Sequence, residues 1–388
     1  MAKPVAGINP RVLRWARERA GYPAGDVAQA IGKDEEVVKQ WESGESAPTY
    51  AQLERLAYQL YKRPIALFFF PEPPQELDPA KEFRTLPDFE VERLASDTRF
   101  ALRLAKAMQL ALAELNDGKN PAEAKIFRDV RAAADTSARR LAELVRKYLG
   151  VSLKTQQDWT DTEDALLHWR SLIEERGVFV FKRSFKQREI SGFCLVDPEF
   201  PVIYLNNGTA PARQSFTIFH ELAHILLHTS GITKANDSFV ANLGGPAKRV
   251  EVFANEFASE VLVPSGDFDR HLKNGPYDDL CLSNLAIRYR VSQEVILRKL
   301  LDRGLVNRKH YEERVSEWEN QYRERRLESA GGNYYATQAA YLGDKFLQLA
   351  FSKYYQGRFG IEQLADYLNV KVRSIPGLEQ LTLKRAAR

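Results

Sequence analysis

The sequence predicts a predominantly helical α+β protein with three parts: an N-terminal helix-turn-helix bundle, a central domain built on a small sheet, and a helical C-terminal extension. Three observations predict it. Apolar residues recur at three- and four-residue intervals through most of the chain. Three strand-like runs cluster centrally, Val178-Phe179-Val180-Phe181, Gly192-Phe193-Cys194-Leu195-Val196 and Val202-Ile203-Tyr204-Leu205. Proline- and glycine-rich breaks such as Pro71-Glu72-Pro73-Pro74 and Gly331-Gly332-Asn333 separate the parts.

The chain has 388 residues, enough for two or three domains, and 44% of them are hydrophobic, enough for packed cores. Its 56 basic and 52 acidic residues leave a net charge of +4, so a nucleic-acid partner would need a local patch. No apolar run reaches membrane-span length, which predicts no membrane partner. Cys194 and Cys281 share no metal spacing, and no secretory signal is evident at the N-terminus, so reduced thiols and a cytoplasmic location are expected.

Helices are expected over Pro10 to Ala20, Ala24 to Ile31, Asp34 to Ser43 and Thr49 to Tyr61, with Gly32 as the turn of a helix-turn-helix. Trp41 and the run Phe68-Phe69-Phe70 are expected to pack in a core or between domains. With Trp41-Glu42-Ser43-Gly44-Glu45-Ser46-Ala47-Pro48-Thr49, Leu53, Leu56 and Ala57, this region resembles the Cro/cI-like (XRE) repressor domain. Two readings stand. One is a DNA reader using Lys33, Lys39 and Gln40 with Arg11, Arg14 and Arg17. The other is a protein-docking module, favoured by Asp34, Glu35 and Glu36 where base-reading residues would stand.

From Pro71 to Asp88 the proline- and charge-rich sequence predicts a linker or strap. Connecting helices follow to Leu149, and the arginines between Arg128 and Lys147 are interleaved with acids, which reads as a solvated face. An amphipathic helix from Asp158 to Arg176 leads into the sheet, and Asn206-Asn207-Gly208 ends its third strand. The division expected is 1–75, 76–150, 151–310 and 311–388.

The next helix, Ser215 to His228, sets His220 and His224 one turn apart with Glu221 between them. Two imidazoles on one face can share an ion, and the carboxylate can reach a water on it, as in zinc hydrolases. Zinc needs a third protein ligand and an open fourth position. Glu251 lies on or beside the apolar face formed by Phe253, Ala254, Phe257, Ala258, Val261 and Leu262, whereas spacing turns Glu256 and Glu260 toward the other side. Ala254 and Ala258 are small enough for close approach to the first helix.

His220-Glu221-Leu222-Ala223-His224-Ile225-Leu226-Leu227-His228, Glu251-Val252-Phe253-Ala254-Asn255-Glu256-Phe257-Ala258 and Leu262-Val263-Pro264 together resemble the ImmA/IrrE metallopeptidases. Val202-Ile203-Tyr204-Leu205-Asn206-Asn207 and Arg213-Gln214-Ser215-Phe216-Thr217 fit the same family, over about residues 160 to 310. The resemblance implies a zincin-like domain holding Zn2+ through His220, His224 and Glu251, with Glu221 as general base. It implies a zinc-dependent endopeptidase acting on a specific protein, a repressor or paired regulatory protein, with the N-terminal domain choosing that target or binding DNA. The rival reading is a DNA-binding regulator whose metal site senses or stabilises without turnover. Tyr204 and His228 are candidates to support the ligands or an oxyanion from outside, against plainer readings as sheet packing and helix-end residue. Leu285 to Ile296 forms a further helix-turn-helix pattern expected to pack, followed by a charged helix from Tyr311 to Glu328 and an aromatic helical extension.

Overall fold

The computed structural model describes residues 3–76, 93–132, 136–187, 189–229, 231–234, 243–272, 277–328 and 332–386. Much of the expected linker, residues 77–92, and Gly331 lie outside the described residues. The chain forms two compact units. One holds Met1–Glu82, Leu86–Lys106 and Phe185–Gln187; the other holds Phe83–Thr85, Ala107–Ser184 and Arg188–Arg388.

In the first unit, α1 (Pro10–Ala20) starts on proline, with the Asn9 side chain accepting from the Arg11 amide, and stops at Gly21 with φ 78°. The helix-turn-helix pair is α2 (Ala24–Ile31) and α3 (Glu35–Ser43), joined through Gly32 at φ 69°. Glycine is favoured there, because a Cβ is disfavoured at positive φ. Next, α4 (Tyr50–Glu54) opens with a Thr49–Gln52 capping box and passes into a wider π-type turn over Arg55–Tyr61. Val12, Leu13, Val27, Val38, Trp41, Leu56 and Phe68 form the core. Phe69 and Phe70 correct the packing expectation: they are 44% and 49% exposed, because the short turn ends there and only Leu67 and Phe68 face inward.

The second unit carries α5 (Ala138–Leu149), α6 (Leu153–Asp158), α7 (Thr162–Glu175) and a mixed four-stranded sheet. Its strands are β1 (Phe179–Arg183), β2 (Ile190–Leu195), β3 (Val202–Asn206) and β4 (Ile232–Lys234), in the order β1-β3-β2-β4. β1 pairs parallel to β3, with Phe181 beside Tyr204; β2 runs antiparallel to both β3 and β4. The fourth strand was not visible in the sequence, since three residues are too few to show alternation.

Helix α8 (Pro211–Leu226) packs on the sheet and on α7, and α9 (Gly245–Leu262) packs on α8 and α5. Ala254 and Ala258 are fully buried between them, so α9 lies close to α8 as their size predicts. An edge-to-face chain from Trp159 through Trp169 to Phe219 fixes α8 from behind, with ring centroids 4.8 and 4.9 Å apart. Downstream lie α10 (Asp279–Tyr289), α11 (Gln293–Asp302), a charged helix over Arg308–Glu328, and the extension: α12 (Tyr334–Leu342), α13 (Asp344–Tyr355), α14 (Ile361–Tyr367) and α15 (Ile375–Ala386). Among the described residues no helix is long and apolar enough to cross a membrane. Both cysteines are free thiols.

Candidate metal centre

Helix α8 begins a turn earlier than the apolar pattern predicts, because Pro211 occupies its first turn, and it ends at Leu226. Ile218, Phe219, Leu222, Ile225 and Leu226 bury one side, and the polar stripe is buried too. His220, Glu221, His224 and Glu251 are each no more than 1% exposed. A buried stripe of titratable groups costs folding free energy unless each charge finds a partner.

The imidazoles and Glu251 converge: one ligand atom from each lies within 4.8 Å of the others. His220 Nε2 stands 3.2 Å from Glu251 Oε2, His224 Nε2 stands 3.4 Å from Glu251 Oε1, and the two Nε2 atoms are 3.2 Å apart. A tetrahedron on metal–ligand bonds of about 2.0–2.1 Å has edges of about 3.3–3.4 Å, so these separations fit one ion.

The protons fit as well. His220 Nδ1 lies 2.9 Å from Asn255 Oδ1, an acceptor, so that nitrogen carries the hydrogen. Thr229 Oγ1 spends its own hydrogen on the His224 carbonyl and so accepts from His224 Nδ1 at 3.2 Å. With both Nδ1 atoms so engaged, both Nε2 atoms face each other and the buried Glu251 carboxylate. Such a cluster of nitrogen and oxygen atoms favours positive charge at the point they share, as a proton or a metal ion.

The electrostatics agree. Burial would raise the Glu251 pKa, but His224 and His220 outweigh it and hold the carboxyl well below its ordinary value. Burial would lower His224, and Glu251 lifts it instead. The point they share thus attracts positive charge. Burial lifts the Glu221 pKa, opposed by His224 and His220. The Glu221 carboxylate accepts a hydrogen bond from Thr233 Oγ1 on β4, and Cys194 on β2 lies beside it.

His228 lies past the helix end, exposed, with left-handed φ 55°. Tyr204 is buried in the sheet, its ring stacked on Phe193 with centroids 5.2 Å apart. The groups that meet the outer imidazole nitrogens are Asn255 and Thr229, neither singled out from sequence. Asn255 had a usable signal, one helical turn after Glu251 on the same helix; Thr229 depends on the turn after α8, which spacing does not reveal. Of the other acids on α9, Glu256 is exposed and Glu260 pairs with Lys299 at 2.7 Å.

In the first unit Lys33 and Lys39 are exposed and Gln40 is half-buried. Lys39 pairs with Glu35 at 3.0 Å, and Arg17 is bidentate to Glu42 at 2.6 and 2.9 Å, tying α1 to α3. Arg14 pairs with Glu18 at 3.2 Å. These partners remove much of the free positive charge expected of a phosphate-facing surface.

Residues 173–301 match the family described as the IrrE N-terminal-like domain, Peptidase_M78. Residues 13–58 match the helix-turn-helix family HTH_3. The chain therefore joins a helix-turn-helix segment to a peptidase-family domain, the architecture that the motifs resemble. No curated protein matches the chain.

Proposed function

We propose that this protein is a cytoplasmic, zinc-dependent endopeptidase that hydrolyses a peptide bond in a specific regulatory protein, with the helix-turn-helix unit serving to select that target or to bind DNA. The observation that carries the reading is the convergence of three possible ligand groups, the His220 and His224 imidazoles and the Glu251 carboxylate, beside the Glu221 carboxylate. A nitrogen and oxygen donor set with short tetrahedral edges suits zinc better than calcium or magnesium, which take six or more oxygen ligands. Bound there, zinc would lower the pKa of water toward neutrality and polarise a peptide carbonyl.

Every other step falls to the chain. His220 and His224 hold their rings fixed through Asn255 and Thr229, so both lone pairs stay aligned without reorganisation. Glu221 takes the proton of the attacking water on its carboxylate and passes it to the leaving amine nitrogen. Thr233 orients that carboxylate from β4. Among the described residues β4 is an edge strand, and an extended peptide pairing along it would lie beside the strand that carries Thr233, the partner of Glu221.

The test uses the full chain. Zinc content is measured on the purified protein, and co-produced candidate regulators, starting with products of neighbouring genes, are assayed for cleavage by wild type and by Glu221→Gln. The variant is expected to keep zinc and lose roughly 10²–10⁴ in rate. Zinc bound with no Glu221-dependent cleavage would favour the second reading, a regulator whose metal site is structural. The near-complete burial of all four side chains is the observation on that side.

A further inference from the structure

The chain contains the helix-turn-helix pattern three times. Ala28, Gly32, Val38 and Trp41 follow the same spacing as Ala286, Arg290, Ile296 and Lys299, and as Ala365, Asn369, Ile375 and Leu378. The second member of each set takes a left-handed turn, with φ 69° at Gly32, 54° at Arg290 and 50° at Asn369. In the third occurrence α13 packs on both α14 and α15, and Phe346, Leu347, Ala350, Leu364, Leu368, Ile375 and Leu378 are buried. A 3-10 turn over Val372–Ser374 touches both α14 and α15 and joins them as the motif pair, while α12 also packs on α15, with Tyr335 against Gly377.

The three occurrences differ in what they present at the turn and the start of the last helix, where this motif meets DNA. The first presents Asp34, Glu35 and Glu36, all exposed, with Lys39 paired to Glu35. The middle one is closed: Val295, Ile296, Leu297 and Lys299 are buried, and Arg213 pairs with Glu294 at 3.4 Å. The third presents Lys371, Val372 and Arg373, all exposed, and neither cation has an ion-pair partner among the described residues. No acidic residue occupies the first turn of α15. Val372, 41% exposed between the two cations, offers an apolar contact of the kind that meets thymine methyl groups.

We infer that the C-terminal extension is a DNA-contacting helix-turn-helix, which seats Lys371 and Arg373 on the phosphates of double-stranded DNA. The assignment rests on α13, α14 and α15 and does not depend on peptide hydrolysis. It moves the main DNA contact from the acidic N-terminal motif to the far end of the chain.

The test measures binding of the full-length protein to a fluorescent random-sequence duplex of about 30 base pairs, across roughly 50–200 mM salt. Lys371→Ala/Arg373→Ala is expected to weaken binding about tenfold and to reduce the slope of log affinity against log salt by about two, one per lost phosphate contact. Lys33→Ala/Lys39→Ala is expected to change affinity less than about twofold. Both C-terminal side chains are exposed, and an unchanged melting temperature verifies that the double variant folds. The inference is overturned if wild type does not bind the duplex, if the C-terminal variant binds as wild type does, or if single-stranded RNA of equal length binds more tightly.

Discussion

Asn255 stands one helical turn beyond Glu251 and accepts the Nδ1 hydrogen of His220 at 2.9 Å, so a single helix supplies both a metal-facing carboxylate and the group that orients a facing imidazole. Removing the acceptor frees the ring to change tautomer. Asn255→Leu is expected to weaken zinc binding about 10- to 100-fold with the fold intact, measured by competition against a chromogenic chelator. Unchanged affinity would mean that the ring is held by packing alone.

Gly231 backs the other imidazole. A Cβ at this position would fall 2.6 Å from the His224 ring, so the ring must turn and Nε2 must leave the convergence point. Gly231→Ala should cost at least about tenfold in zinc affinity. Gly244→Ala, where a Cβ meets nothing within 4 Å, should cost nothing in the same titration.

Zinc binding should stabilise the fold, since an ion that binds only the native state contributes about 4 kcal/mol at a thousandfold excess over its dissociation constant. Thermal melts with and without a chelator should differ for wild type. Glu251→Gln, which removes the anionic ligand, should melt at one temperature in both. Equal chelator sensitivity in the two proteins would remove Glu251 from the ligand set.

Lys299 and Glu260 form a buried pair, with side chains 3% and 10% exposed. Lys299→Met removes the only cation paired with this carboxylate among the described residues, leaving it the Ser265 amide and hydroxyl, and should cost about 3 kcal/mol in urea unfolding. Lys299→Met/Glu260→Leu should recover most of that loss, because no charge remains buried.

Asp267 gives a pH signature. Burial pushes its pKa up, but hydrogen bonds from Tyr289 at 2.8 Å and Arg288 at 3.0 Å outweigh it and hold the carboxyl below its ordinary value. A depressed acid stabilises above its unfolded pKa of about 3.9, and that contribution is lost as pH falls through the folded value. Asp267→Asn should therefore be less stable than wild type at pH 7, with the gap closing as pH falls below about 4. A gap that persists in acid would assign the effect to packing.

The sequence by itself determined the local features. The helix-turn-helix pair, the helix bearing His220, Glu221 and His224, three of the four strands and the close-packing alanines of α9 all follow from periodicity, caps and residue size, which act over a few neighbouring positions. Only the tertiary structure decided what depends on distant segments meeting. It brought Glu251 to two imidazoles on another helix, set Asn255 and Thr229 behind those rings, buried Tyr204 against Phe193 and left His228 exposed past the helix end. It added β4 with Thr233 at the sheet edge, and left Phe69 and Phe70 facing outward. Charge divided in the same way: the pairs Lys39–Glu35 and Arg14–Glu18 follow from four-residue spacing on one helix, whereas Arg17 met Glu42 only when α1 packed on α3.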